Sequence, residues 1–526
     1  MPYQTSPEID FSSIGLMVDV PSNAIPQGGW SDSLNVRCRN GSVQGVNSFA
    51  NDILLHHSDA NIANGEAKAV CQFTEAGGTS LIIAYIVKGV NGNGSVILYN
   101  PDGANNAAKW DNITNATGDQ VFTFDDAFPP QIFVFNELLI VNPGTDAPPQ
   151  WTTAAVGAGS LQELPNWLND SSGQPIICRT LKPFNQRLIA MNIKEEHGVG
   201  GAGTADDADD DIFQPIDLLF SSHITAVSSL AAATWATSTT NTAGDAFLNA
   251  TPGKILDGGQ LGEFFIAYKT DSVVRVRETG DSNILAFESV FEDDGIYSTR
   301  CFANIGNSQH LVVGNYGIYL HDGQSQKQDI AKDLFQDTMF ALVKAAERNR
   351  TFVFQQTRDK EVWLCLPTTS NSSTGCDLAF VYDYSSGKIH KRTLPGVTDI
   401  FETEFEGNLK IYATKSGTTL QILSNTALES GGYFERINDN LTSNGSVKHI
   451  SRIEVNAVGG CLLALTGTQN LSDTASYTNV TFNPDTDHKV DVRTSGRYMN
   501  LKVTMNGVTN PQLSKLQFGI KLMGVR

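Results

Sequence analysis

Short apolar runs, paired across polar or glycine turns, are the dominant pattern of this chain. The clearest pair is Phe264-Phe265-Ile266-Ala267-Tyr268 with Ser272-Val273-Val274-Arg275-Val276, joined by Lys269-Thr270-Asp271. A second is His310-Leu311-Val312-Val313 with Ile318-Tyr319-Leu320-His321, turned by Gly314-Asn315-Tyr316-Gly317. Each predicts a β-hairpin, and their recurrence predicts a repeated β module. Apolar strand pairs begin near Ser80, Leu138, Arg187, Phe264, His310, Arg350 and Leu409. Most of these starts lie about 40–60 residues apart, near the blade period of a β-propeller. Phe135-Asn136-Glu137-Leu138, Phe184-Asn185-Gln186-Arg187 and Phe405-Glu406-Gly407-Asn408 introduce three of the strands alike. An aromatic beneath a polar turn suits wedge-shaped sheets that bury both faces. The expected fold is therefore all-β, with a propeller-like domain over 46–430. A row of unrelated β-sandwiches is the competing arrangement.

The flanks read differently. Residues 1–45 form an arm ending in a hairpin, with Asn40-Gly41 supplying type I′ turn chemistry between Trp30-Ser31-Asp32-Ser33-Leu34-Asn35-Val36-Arg37 and Ser42-Val43. In 431–526, Leu501, Val503 and Met505 alternate with Lys502 and Thr504, and Leu516, Phe518, Ile520 and Leu522 alternate with Gln517 and Lys521. Strict alternation predicts half-buried antiparallel strands. This region is expected to be a separate C-terminal β-sandwich or platform, completed by strands from the N-terminal arm. One helix is expected, over 329–348, where Ile330, Leu334, Phe335, Met339, Leu342, Val343 and Ala346 share a face.

Composition narrows the function. Charged residues are 17% and the formal net charge is −20, which disfavours any surface that grips a phosphate backbone with clustered Lys and Arg. The longest apolar runs, such as 81–87, fall well short of the ~18 residues of a membrane span. The N-terminal residues have no secretory pattern. Seven scattered cysteines without a Cys-x-x-Cys pair predict free thiols made in a reducing compartment.

Two stretches carry a resemblance. One is Gly15-Leu16-Met17-Val18-Asp19-Val20-Pro21 followed by Trp30-Ser31-Asp32-Ser33-Leu34-Asn35-Val36-Arg37. The other is the block from Ile255-Leu256-Asp257-Gly258-Gly259 to His321-Asp322-Gly323, with Asp491-Val492-Arg493 and Ser495-Gly496-Arg497-Tyr498 adding a weaker C-terminal echo. Together they resemble the propeller-type tail nozzle or hub proteins of short-tailed phages, over residues 1–45, 250–340 and the last 40. The resemblance implies a virion structural protein made in the host cytoplasm, not an enzyme, that forms a homo-oligomeric ring, most often a hexamer. Its implied partners are the portal-adaptor protein above it and tail fibre or needle proteins beside it. It would retain packaged double-stranded DNA and give it passage at ejection, without binding it specifically.

Candidate chemistry is sparse. Gly198-Val199-Gly200-Gly201-Ala202-Gly203 matches a dinucleotide loop in letters, but Asp206 and Asp207 follow at once, where a pyrophosphate would sit. Asp207, Asp209 and Asp211 have calcium-loop spacing, yet the sixth position is Ile212 and the twelfth Leu218. Within the Gly-rich insertion near 195–250, Asp206, Asp207, Asp209, Asp210 and Asp211 are expected to form a solvated acidic loop at a tunnel or rim. His56-His57 has no metal-spaced partner, and no Ser-elbow or phosphate-loop motif occurs. No cofactor or metal is expected. The alternative reading is a carbohydrate-binding or carbohydrate-cleaving propeller, such as a receptor-binding tail component, which would need an aromatic-lined pocket or paired carboxylates.

Overall fold

The computed structural model describes the chain except residues 1–3, 55–59, 75–80, 100–109, 115–121, 126–127, 153–160, 170–174, 195–212, 226, 281–282, 307, 325, 371–374, 406–407, 416–418, 442–444, 506–510 and 524–526. Among the described residues 58% are in strands and 5% in helix. The fold is all-β.

Five antiparallel sheets follow one another in chain order. The first holds Glu66–Thr74, Leu81–Lys88, Asn93–Tyr99 and Trp110–Asn112, with the short Phe122–Thr123 beside them. The second runs from Gln131–Phe135 to Gln162–Glu163, the third from Ile177–Phe184 to Gly244–Phe247. Ile255–Leu261 to Leu285–Phe291 make the fourth, and Phe302–Ile305 to Lys327–Asp329 the fifth. The sixth sheet is different. Its long strand Lys388–Phe405 pairs with Cys376–Asp383 over its first half and with Asn408–Lys415 over its second, with register shifts where the halves meet. It therefore serves two units. Phe352–Gln356, Glu361–Leu366 and Cys376–Asp383 complete the sixth. Asn408–Lys415, Thr419–Leu428 and Asn47–Leu54 complete the seventh.

The units close into a ring. Phe265, Ala267 and Val274 of the fourth unit bury against Ile189, Met191 and Leu218 of the third, and Leu139 and Val141 of the second against Ala84, Val96 and Leu98 of the first. The last joint is of the same kind, because Tyr412 and Leu420 of the seventh unit share a cluster with Val70, Tyr85 and Ile97 of the first. At roughly 1.5–3 kcal/mol for each fully buried side chain, these joints supply the cohesion that hydrogen bonds within one sheet cannot. The central domain is a β-propeller-like ring.

Both ends of the chain build a β-sandwich on this ring. One sheet is ordered Lys489–Gly496, Lys448–Val458, Gln512–Leu522, Ser42–Gly45, Val36–Arg39, and Gln512–Leu522 also pairs with Gln4–Thr5 and Ile9–Asp10. The other is ordered Asn479–Phe482, Cys461–Thr468, Tyr498–Met505, Tyr433–Asp439, Asp32–Leu34. The alternating residues Leu501, Val503, Leu516, Phe518 and Ile520 are all buried between the sheets. Asn40 and Gly41, at φ 51° and 70°, make the turn of the arm's hairpin.

The expected helix over 329–348 is broken. An α-helix spans only Gln336–Leu342, followed by a 3-10 turn at Ala345–Arg350. Upstream, Asp333 is left-handed at φ 59°, which a helix does not tolerate. Downstream, Val343 is extended and bridges Thr368, while the Lys344 N–H donates to Pro367 O at 2.9 Å. The apolar spacing reported burial correctly for Phe335, Met339 and Val343, but a neighbouring strand captures the segment's end.

One joint is held by a buried cation. Lys269, 0% exposed, closes strand Phe264–Lys269, and its ammonium donates to Leu248 O at 2.8 Å, Thr251 O, and Thr251 Oγ1 at 3.2 Å. Burial pushes this ammonium below the usual lysine range, with Asp271 opposing the shift. Lys269→Met would orphan these acceptors, at about 1–3 kcal/mol per unsatisfied group. The expected loss is about 2–4 kcal/mol, read as a lower urea midpoint at unchanged slope.

Candidate functional site: a charged belt around the ring axis

The first strands of successive units line the axis, and polar side chains join them across the joints. Gln131 Oε1 of the second unit accepts the Leu181 N–H of the third at 2.8 Å. Lys182 Nζ reaches Asp257 Oδ1 of the fourth unit at 3.0 Å, and Thr180 Oγ1 donates to Leu256 O at 3.0 Å. The second oxygen of Asp257 accepts the Arg300 N–H at 2.7 Å, just ahead of the fifth unit. From there the Arg300 guanidinium pairs with Asp399 of the seventh unit and lies 4.8 Å from the Phe352 ring of the sixth. Asp399 accepts the Val70 N–H of the first unit at 3.1 Å, and Thr398 Oγ1 donates to Ala67 O at 2.6 Å. Three charged residues, Asp257, Arg300 and Asp399, thus connect units four, five, seven and one.

The charges of the belt are matched in pairs. Burial pushes the Asp399 carboxyl up, opposed by the Arg300 guanidinium and the Val70 and Ile400 N–H groups. Beside the belt, burial raises the Cys301 thiol to about 12, with Ser298 only partly offsetting it. No group of three or more His, Cys, Asp or Glu among the described residues is placed to hold a metal ion. The arrangement can carry load and fix geometry.

A second polar cluster lies between the fourth and fifth units. Tyr268 Oη is 2.6 Å from His310 Nδ1 and 2.7 Å from His321 Nε2, with all three side chains buried. The outer partners set the protons. His321 Nδ1 accepts the Gly323 N–H at 3.1 Å, so its proton is on Nε2 and is donated to Tyr268. His310 Nε2 faces Gln260 O at 3.1 Å, so its proton is there, and Nδ1 accepts the tyrosine O–H. Every hydrogen bond is satisfied only while both imidazoles are neutral.

The aspartates Asp206, Asp207, Asp209, Asp210 and Asp211, the glycine motif 198–203 and His56-His57 lie outside the described residues. Trp30, Trp167, Trp235 and Trp363 are buried in core clusters. A cleft of about 520 Å³ separates the outer strands Gly244–Phe247 and Leu285–Phe291, with Asp245 as the carboxylate among its lining residues. Sequence reading missed the belt because Asp257, Arg300 and Asp399 have no spacing motif. Asp257 stands third in Ile255–Leu261, Arg300 two residues before Phe302–Ile305 and Asp399 inside Lys388–Phe405, so no shared local signal marks them. No helix among the described residues is long and apolar enough to cross a membrane.

No protein-family model matches the chain, and no curated protein matches it. Among solved structures, the WD40 β-propeller domain of Doa1 is 12% identical, covering 72% of this chain and 97% of its own, with a TM-score of 0.34. The Pan2 WD40 domain of Neurospora crassa is 8% identical, covering 69% and 91%, with a TM-score of 0.36. An ancestral GH74 enzyme is 11% identical, covering 77% of this chain and 49% of its own, with a TM-score of 0.31. At these scores the likeness lends nothing to function.

Proposed function

We propose that this chain is a virion structural protein, the tail hub or nozzle of a short-tailed phage, acting mechanically and not as an enzyme. One observation carries the reading. The three segments that resemble that family are far apart in sequence, yet they meet in a single hydrophobic cluster. Ile9, Phe11, Leu16 and Trp30 of the arm, Ile266, Tyr268, Val312 and Ile318 of the central block, and Phe518 and Ile520 near the C-terminus all belong to it. Polar contacts tie the same segments. The Asp19 carboxylate of the arm accepts the N–H groups of Asp337 and Thr338 at 2.8 and 3.1 Å, capping the helix Gln336–Leu342.

In this reading six copies close into a ring beneath the portal-adaptor protein, with tail fibre or needle proteins attached outside. DNA passes through the opening between protomers, not through the narrow axis of each propeller-like ring. With a formal net charge of −20 the chain repels DNA within about a Debye length, ~8 Å at physiological salt, and so does not grip it in transit. Negative-stain imaging of the purified chain tests it. A six-fold ring with a central hole is the expected result, and a compact monomer at high concentration would overturn it.

A further inference from the structure

Three oxygens converge on the hairpin turn 314–317 of the fifth unit. A Cβ added to the buried Gly317 would meet, beyond its own chain neighbours, Asp329 Oδ2 at 3.5 Å, Asp294 Oδ2 at 3.8 Å and Gln336 Oε1 at 3.8 Å. They come from three separate segments. Asp294 lies between the fourth and fifth units, Asp329 ends the strand Lys327–Asp329, and Gln336 opens the helix Gln336–Leu342.

None of the three oxygens has a donor among the described residues. Asp294 is 2% exposed, and its Oδ1 takes the N–H groups of Gly295 and Asn315 at 2.9 Å each and of Tyr316 at 3.3 Å. Its Oδ2 is left without a hydrogen bond or an ion pair. Asp329 likewise commits Oδ1 to the Ala331 and Lys332 N–H groups, at 3.0 and 2.9 Å, and leaves Oδ2 over. Gln336 Nε2 donates to Tyr316 O at 3.1 Å, which fixes the amide's orientation and leaves Oε1 buried without a partner. The charge of Lys327 acts on Asp294, but its ammonium bonds Asp293 at 2.8 Å.

Two carboxylates and an amide oxygen with no donor between them fit a hard cation. Calcium takes its oxygens at about 2.3–2.6 Å, nearer than the ~2.7–2.8 Å of a hydrogen-bonded water, so it enters where water does not. Asp329 is exposed, so solvent can complete the coordination shell from that side. Magnesium matches less well, because it demands octahedral geometry at about 2.0–2.1 Å and gives up its own water reluctantly.

We propose that Asp294 Oδ2, Asp329 Oδ2 and Gln336 Oε1 bind one divalent cation of the calcium class. The ion ties the turn of the fifth unit to the helix that Asp19 caps, and so fastens the arm's anchor to the ring. It depends neither on the aspartate spacing at 207–211 nor on the proposed virion role.

The test strips the intact protein with EDTA, removes the chelator, and titrates CaCl2 and, in parallel, MgCl2 at constant ionic strength, followed by calorimetry and thermal unfolding. One-to-one calcium binding at roughly 10⁻⁴–10⁻³ M is expected, tighter than magnesium and with a rising Tm. Asp329→Asn, at an exposed position, keeps an oxygen for its two N–H groups and should bind calcium about tenfold more weakly or worse. Asp294→Asn should lose the calcium response. Without calcium its Tm should equal or exceed that of the parent, because the new amide can donate to the two remaining oxygens. Asp207→Asn/Asp209→Asn/Asp211→Asn should leave the affinity unchanged. No saturable binding of calcium, tighter binding of magnesium, or unchanged affinity in Asp329→Asn overturns the proposal. So does loss of binding in the triple variant, which would move the ion to the acidic run. A lower Tm for Asp294→Asn in chelator would overturn it too, since the carboxylate would then already have its partner.

Discussion

Lowering the pH from about 6.5 to about 4.5 is expected to remove several kcal/mol of folding stability, well before most carboxylates titrate. The cause is three buried imidazoles. Burial lowers His310 to about 4, opposed by its bond to Gln260 O, and lowers His321 to about 3, with His310 adding to the shift. Burial likewise lowers His390 to about 3, aided by Arg37 and Arg392 and opposed by Asp383. Each folded value lies below the unfolded one, so the unfolded chain binds more protons in between. The stabilisation is complete above about 6.5 and is lost as pH falls toward 4 and 3. Each histidine contributes a slope approaching about 1.4 kcal/mol per pH unit in that window. The wiring around Tyr268 gives the structural reason. A proton added at His321 Nδ1 faces the Gly323 N–H, and one added at His310 Nδ1 faces the tyrosine hydroxyl. Glu361 and Asp399, both raised by burial, pull the other way, because acid relieves their buried charge. Urea midpoints measured in half-unit steps of pH check the sum. A midpoint that stays level across this range would show that the cluster opens to water.

Trp30→Ala is expected to cost about 3–5 kcal/mol from the lost ring alone. Trp30 is 0% exposed, stacks on Phe434 at 5.2 Å, and donates from Nε1 to Phe11 O at 2.8 Å. Phe11 also packs on Phe434, at 5.3 Å, so one aromatic group joins two segments of the arm to a C-terminal strand. The substitution also leaves the Phe11 carbonyl unpaired, which adds about 1–3 kcal/mol. Because the arm and the C-terminal strands share that core, both should lose protection together while the seven units keep theirs. Hydrogen exchange with limited proteolysis reads this directly. Early loss of protection in the ring, with the sandwich intact, would contradict the account.

Much of the ring was legible from local pattern. The strand-pair starts read near Leu138, Arg187, Phe264, His310, Arg350 and Leu409 fall one to a unit from the second to the seventh, Ser80 lies outside the described residues, and Tyr268 opposite Val273 and Val313 opposite Ile318 close the two clearest hairpins. These pairs are neighbours in sequence, so periodicity and turn chemistry suffice to find them. The outer strands were not legible. Lys327–Asp329 is exposed along its whole length and carries no apolar signature. Nor could spacing show that Lys388–Phe405 serves two units, since a long strand with a shift in the middle reads as two. The helix expected within 329–348 forms, but only over Gln336–Leu342, because burial at helical spacing can be met by a broken segment whose end is taken by a strand. The belt stayed hidden for a different reason. Asp399 meets Val70 and Arg300 only after the ring closes, and contacts across hundreds of residues leave no local trace.

The order of strands in the sandwich has a consequence for synthesis. Strand Gln512–Leu522 is central to its sheet, and Val36–Arg39 and Ser42–Gly45 reach the rest of that sheet only through it. At ~5–20 residues per second, the arm leaves the ribosome tens of seconds before its partner exists. Throughout that interval its hairpin presents open strand edges, which invite pairing with another chain. A nascent protein of this design gains from a chaperone that shields this hairpin until Gln512–Leu522 emerges, and translation stopped before that strand leaves the hairpin without its link to the sheet.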